Sequence, residues 1–213
     1  RSAMGRPKNL ENRSELIITS ARKLFGQYGF EKTTIDDIAR EAGIGKGSVY
    51  LEFPNKQEIL FSIIRGFVEE RHLQIKEYIE NVGPPYLEAL EEMLFVHALS
   101  VHETATSQIH TPDILIHTNI EVRKRFREHF DFMKSRIVKL LKMAARNGEL
   151  KKSSKYEDIT ETLILGIGAV CPPYLRNTRP TEPEIPTRKQ LEKEARSLIR
   201  LLIAGIKQEY GKH

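Results

Sequence analysis

Cysteine is all but missing from this chain: Cys171 stands alone among 213 residues. An internal disulfide is therefore excluded, and so is a zinc site made of cysteine thiolates. No apolar run approaches the roughly 18 residues that a membrane span demands, so no membrane partner is expected. The N-terminus is polar and lacks the apolar core of a signal peptide, which points to the cytoplasm. Arg1, Ser2 and Ala3 precede Met4 and read as an expression scar. Alternating strand-like runs closed by hairpin turns are missing too, which argues against a sheet. GxSxG, P-loop and Rossmann fingerprints do not occur, so neither an enzyme nor a cofactor is expected. Cys171 lies in an apolar run beside two prolines, where burial accounts for it better than nucleophilic catalysis.

What is present is helical periodicity almost throughout, with enough apolar residues (39%) for a real core. A first helix spans about 9–28, with Ile17, Ala21, Leu24, Phe25 and Tyr28 on one face, and stops at Gly29. A short helix follows Thr33 and Thr34, either of which can cap it, with Asp36 and Asp37 in its first turn. Gly43 ends it. A third, short helix starts near Lys46 and is broken by Pro54. Longer helices are expected over about 56–79, 86–103, 122–147, 157–175 and 188–210. The stretch 110–117 reads as irregular, and 176–186 as a loop. Pro172 and Pro173 should kink or end the 157–175 helix early. The fold class is all-α, about nine helices in all. Residues 1–8 form a scar and basic arm, 9–55 a three-helix domain, and 56–213 a larger helical domain.

Two short helices joined by a glycine turn, behind a longer support, make a helix-turn-helix. The second short helix fits a major groove, with Gly45, Lys46, Gly47, Ser48 and Leu51 facing the bases. Small residues at 45, 47 and 48 let the backbone approach the duplex, and Lys46 can reach a guanine edge or a phosphate. Tyr50 and Lys56 are placed for phosphates, as are Thr33 and Thr34 with the free amides of the helix they cap. Arg6 and Lys8 belong to an arm that can reach the minor groove or the backbone.

Overall charge is a poor guide to this site. The formal net charge is +5, but residues 1–60 hold ten basic against eight acidic residues. Residues 61–120 hold three against nine, and 121–155 twelve against four. The most basic stretch reads as a long helix with a solvated face, the sharper alternative being a second polyanion surface.

The run Thr34-Ile-Asp-Asp-Ile38-Ala39-Arg-Glu-Ala42-Gly43-Ile44-Gly45-Lys46-Gly47-Ser-Val-Tyr50-Leu-Glu-Phe53-Pro-Asn-Lys56 resembles the tetracycline-repressor-like (TetR) family, as does the preceding Ala21–Phe30 segment. The resemblance covers about 9–64; beyond it only helix count and order agree. Two positions depart from the family pattern: Gly45 stands where a serine often caps the recognition helix, and Glu52 where an aromatic or histidine is frequent. An acid at 52 would be repelled by a phosphate or accept from a cytosine amine. The resemblance implies a homodimer on a palindromic operator, its recognition helices about 34–36 Å apart. It also implies that 9–55 is the DNA-binding domain and 56–213 a ligand-binding and dimerisation domain, and that the protein is a repressor released by a small molecule that enters the larger domain and shifts the fourth helix. The implied dimer face lies on the last two helices, with Gly166, Gly168, Ala169, Leu198 and Leu202; internal packing is the other use for those small residues.

Phe95, Leu99, His102, Phe126, Phe130, Met133 and Leu165 offer a lining for a largely hydrophobic effector. Histidines 97, 102, 110, 117 and 129 with Glu103 raise an alternative, a metal-dependent helical enzyme or metal sensor. They contain no i, i+4 pair and no HExxH, so no metal is expected.

Overall fold

The computed structural model describes residues 8–107, 124–172 and 185–212, the first five of them by backbone alone. Those residues form eight helices: α1 (Lys8–Tyr28), α2 (Ile35–Glu41), α3 (Lys46–Glu52), α4 (Lys56–Asn81), α5 (Tyr86–Thr106), α6 (Arg127–Arg146), α7 (Tyr156–Gly168) and α8 (Arg188–Tyr210). Among the described residues there is no strand, only a lone antiparallel bridge between Leu150 and Gly211. No described helix is long and apolar enough to cross a membrane. The expected stretch 110–117 and most of the loop 176–186 lie outside the described residues.

The chain divides into two compact units that part at Glu69 and Glu70, inside α4. The sequence reading instead set its boundary at 55/56, where α4 begins.

In the first unit α1, α2 and α3 pack on one another. Their stripes close over Ile17, Ala21, Leu24, Phe25, Ile38, Ala39 and Val49. Helices of seven residues are unstable alone in water, so α2 and α3 persist because this shared core holds them. Tyr28, expected on the inner face of α1, is exposed at its last turn.

In the second unit α5 packs against α6 and α8, and α7 against the same two. Leu90, Leu94, Ile137, Leu140, Leu141, Leu163, Ile199 and Ile203 fill the centre. Each buried side chain of this kind contributes about 1.5–3 kcal/mol before entropy is counted. Pro84 and Pro85 precede α5, and its first free amides are capped from elsewhere: the Glu149 carboxylate accepts from Tyr86 N and Leu87 N, both at 2.8 Å. α7 is shorter than expected, closing at Gly168, four residues before Pro172.

Candidate nucleic-acid interface

Thr34 sets the start of α2. Its hydroxyl accepts from Asp37 N at 3.2 Å, and the Asp37 carboxylate accepts from Thr34 N at 3.0 Å, a reciprocal capping box. The Thr34 hydroxyl also donates to the Asp37 carboxylate at 2.6 Å, and this bond, with the one from Thr34 N, holds the Asp37 carboxyl below its ordinary range. Gly43 then takes φ +67°, the left-handed turn between α2 and α3 that side chains with a Cβ resist. Val49 and Phe53 pin α3 to the core, which fixes its other face outward. On that face Gly45, Lys46, Gly47, Tyr50 and Leu51 are exposed and Ser48 is half-buried. Gly45 is the N-cap and makes no side-chain bond to the first amides of α3, of which Ser48 N donates to Gly45 O at 2.9 Å.

Lys46 is not a bare cation in the free protein. Its ammonium donates to Asp36 Oδ2 at 2.8 Å, across the turn from α2, and this bond holds it above the usual lysine range.

Three expectations change. Thr33 is buried, its hydroxyl donating to Gly29 O at 2.8 Å, so it caps the end of α1 internally and offers nothing to a phosphate. Lys56 donates to the carbonyls of Phe30 and Thr33 and lies 4.3 Å over the Phe30 ring. It ties the α1–α2 connection to α4 instead of reaching outward. Glu52 turns inward: its side chain is 2% exposed and faces Arg13 of α1 at 4.0 Å. Neither repulsion of a phosphate nor reading of cytosine follows for it. Arg6 lies outside the described residues, and the Lys8 side chain is not described.

In the second unit Phe95 and Met133 are buried in the central cluster, with Leu99 packed against it. The Arg196 guanidinium lies 3.6 Å over the Phe95 ring. His102 and Phe126 are buried and Phe130 half-buried, all three outside that cluster. Leu165 is no lining residue: it is 78% exposed. The inner stripe of α7 runs through Tyr156, Ile159, Thr160, Leu163 and Ile167. Leu165 lies two residues from Leu163, about 200° around the helix. Gly166 has its use inside the chain, since a Cβ there would stand 2.8 Å from a Leu202 methyl. Gly168 and Ala169 close α7, and Leu198 and Leu202 are half-buried against the core. Bare outward leucines occur instead at Leu165 and Leu201, the latter 70% exposed.

Of the histidine set, His110 and His117 lie outside the described residues. His97 and His129 come together with His72, which the sequence reading passed over because it stands 25 residues from the nearest other histidine. Among the described residues no group of His, Cys, Asp and Glu has a geometry that holds a metal ion. Burial pushes the Cys171 thiol up to about 12, so its thiolate is suppressed.

Residues 17–63 match the family model described as "Bacterial regulatory proteins, tetR family". The chain is 36% identical over 85 residues to the HTH-type transcriptional regulator HbdR of Aromatoleum sp. (strain CIB), covering 40% of this chain and 37% of that protein. It is 23% identical over 206 residues to the fatty acid metabolism regulator protein of Bacillus subtilis (strain 168), covering 94% and 96%. The alignments to curated relatives at 34–36% identity span less than half of those proteins' length. Among solved structures, FadR from Bacillus subtilis in complex with stearoyl-CoA superposes with a TM-score of 0.64 at 21% identity, covering 90% of this chain and 98% of that one. At that identity the likeness is one of fold.

Proposed function

We propose that this chain, whose residues 17–63 match the model of the TetR family of bacterial regulatory proteins, is a dimeric transcriptional repressor of that family, released from a palindromic operator by a small molecule. The observation that carries this reading is the outer face of α3. A seven-residue helix anchored by Val49 and Phe53 leaves Lys46, Gly47, Tyr50 and Leu51 exposed, Lys46 in its bond to Asp36, beside a helix start that has no side-chain cap. Such a face has no use in the core, and its dimensions suit a major groove. Lys46, Ser48 and Leu51 read bases, Gly45 and Gly47 let the backbone close on the duplex, and Tyr50 holds a phosphate. Thr34 acts by fixing α2, and Lys56 and Thr33 by holding the turn before it.

Leu165 and Leu201, with Gly168, Ala169 and Leu198 beside them, form the surface on which two copies pair. The effector enters the larger unit among Phe95, Leu99, His102, Phe126, Phe130 and Met133, and acts through α4, one continuous helix from Lys56 to Asn81. Two proteins of this fold form complexes with acyl or hydrophobic ligands, FadR with stearoyl-CoA and SmeT with triclosan. An amphipathic effector is the corresponding expectation for this chain. The protein works by binding, not by catalysis.

Titration against duplexes from its own promoter tests this. A steep fall of affinity with salt and a clear preference over random DNA are expected. Replacing Tyr50 with Ala should weaken binding roughly tenfold on every sequence alike, as loss of a phosphate contact does. Equal, weak binding to all duplexes would end the repressor reading.

A further inference from the structure

The second unit holds a polar cluster that its fold does not need. His72 on α4, His97 on α5 and His129 on α6 converge: His72 Nε2 and His129 Nδ1 are 2.6 Å apart, and the His97 and His129 rings are 6.4 Å apart. Phe132 stacks on His72 at 3.9 Å, and the Arg136 guanidinium lies 4.5 Å over the Phe132 ring. Two polar atoms here are buried without a hydrogen-bond partner among the described residues, His97 Nδ1 and Arg136 Nε. Buried orphans of this kind each cost stability, and a fold has no reason to keep them unless something else meets them.

The electrostatics say what that is. Burial holds His97 and His129 far below the ordinary histidine range, at about 3 and about 4, so both rings are neutral. Each neutral ring keeps one N–H, and that of His129 is open to a ligand in the tautomer whose Nδ1 accepts from His72 Nε2. The Arg71 guanidinium acts on both rings, and burial presses its own pKa down. Its electrostatic neighbours are Glu70 and Glu103, and Glu103 is already paired with Arg188 at 2.6 Å. Among the described residues the cluster thus adds two guanidinium groups to three imidazoles, and the carboxylates acting on Arg71 are Glu70 and Glu103.

We propose that the effector is an amphipathic monocarboxylic acid whose carboxylate is received by His97, His129 and Arg71, its apolar tail lying in the surrounding core. This rests on the effector-responsive reading above. A carboxylate brings two acceptor oxygens and one negative charge, the complement of two imidazole N–H groups and a half-buried guanidinium.

The test compares decanoate with decanol, methyl decanoate and decyl phosphate, by calorimetry and thermal shift on the full chain at neutral pH. Decanoate should bind at least roughly tenfold tighter than the alcohol and ester, the discrimination a site of buried donors exerts on a ligand that leaves them unmet. H97F, which keeps the ring volume, and R71Q should each abolish that preference while leaving the far-ultraviolet spectrum unchanged; R71K should retain part of it. Equal binding of acid and alcohol, tighter binding of the phosphate, stabilisation by nickel or zinc in place of any acid, or no response to decanoate at millimolar concentration would each overturn the proposal. Operator binding is measured in parallel without ligand. If it holds while decanoate does nothing, only the effector chemistry falls; if it fails, the repressor reading falls, and the thermal shift still reads the acid site.

Discussion

Lys56 and Glu52 show how little a residue's type says about its task. Both stand in or beside the DNA-reading segment, and either charge reads in the sequence as facing a duplex. Lys56 instead donates to Phe30 and Thr33 carbonyls, and Glu52 faces Arg13. Side-chain direction follows from helical phase and from partners distant in sequence, 23 and 39 residues away in these two cases, which no local pattern encodes. The histidines carry the same lesson with a measurable outcome. His97 and His129 are neutral in the fold and pushed down to about 3 and about 4, while an unfolded chain returns them to about 6.5. Below about 6.5 the unfolded state therefore binds more protons, so stability falls as pH drops from 6.5 toward 3. Each histidine adds a slope of up to about 1.4 kcal/mol per pH unit. Urea midpoints across that range should fall less steeply for H97F than for the parent chain; parallel curves would mean that His97 is hydrated and titrates normally.

At the scale of elements, the helices of the first unit were legible because their punctuation is local. Thr34 with Asp37 makes a capping box within four residues, and Gly43 marks the turn by the one property that distinguishes glycine. Gly43→Ala should cost about 1–2 kcal/mol, since an L side chain at φ +67° is strained even where space is open. A thermal melt measures it, and an unchanged midpoint would show that the turn relaxes to another conformation. The second unit was legible as helices but less so as faces. Leu165 was assigned inward from composition, whereas the stripe through Ile159, Leu163 and Ile167 turns it out. For Gly166 the two uses, an outer contact and internal packing, part in favour of the second, since Leu202 of the same chain fills its space. The cap that Glu149 gives to α5 joins residues more than 60 apart and has no sequence signature.

At the scale of the molecule, two bare leucines on the last two helices argue for a second copy. Leu165 and Leu201 are exposed at 78% and 70%, and an apolar face so placed is a contact surface more often than an accident. Replacing both with Asp should leave the helical spectrum intact and convert a dimer to a monomer in sedimentation; a dimer that persists would place the interface elsewhere. The bond from Lys46 to Asp36 matters at a larger scale still. A regulator searching a chromosome meets a vast excess of wrong sites, all of which offer the same phosphates. A reading helix with a naked ammonium would be retained by every one of them. With its charge answered at home by Asp36, the helix has little reason to linger where only the backbone is on offer. On the proposed reading of α3, the lysine would be released where a base edge competes better than the aspartate does, and the Lys46–Asp36 bond would shorten residence on irrelevant DNA.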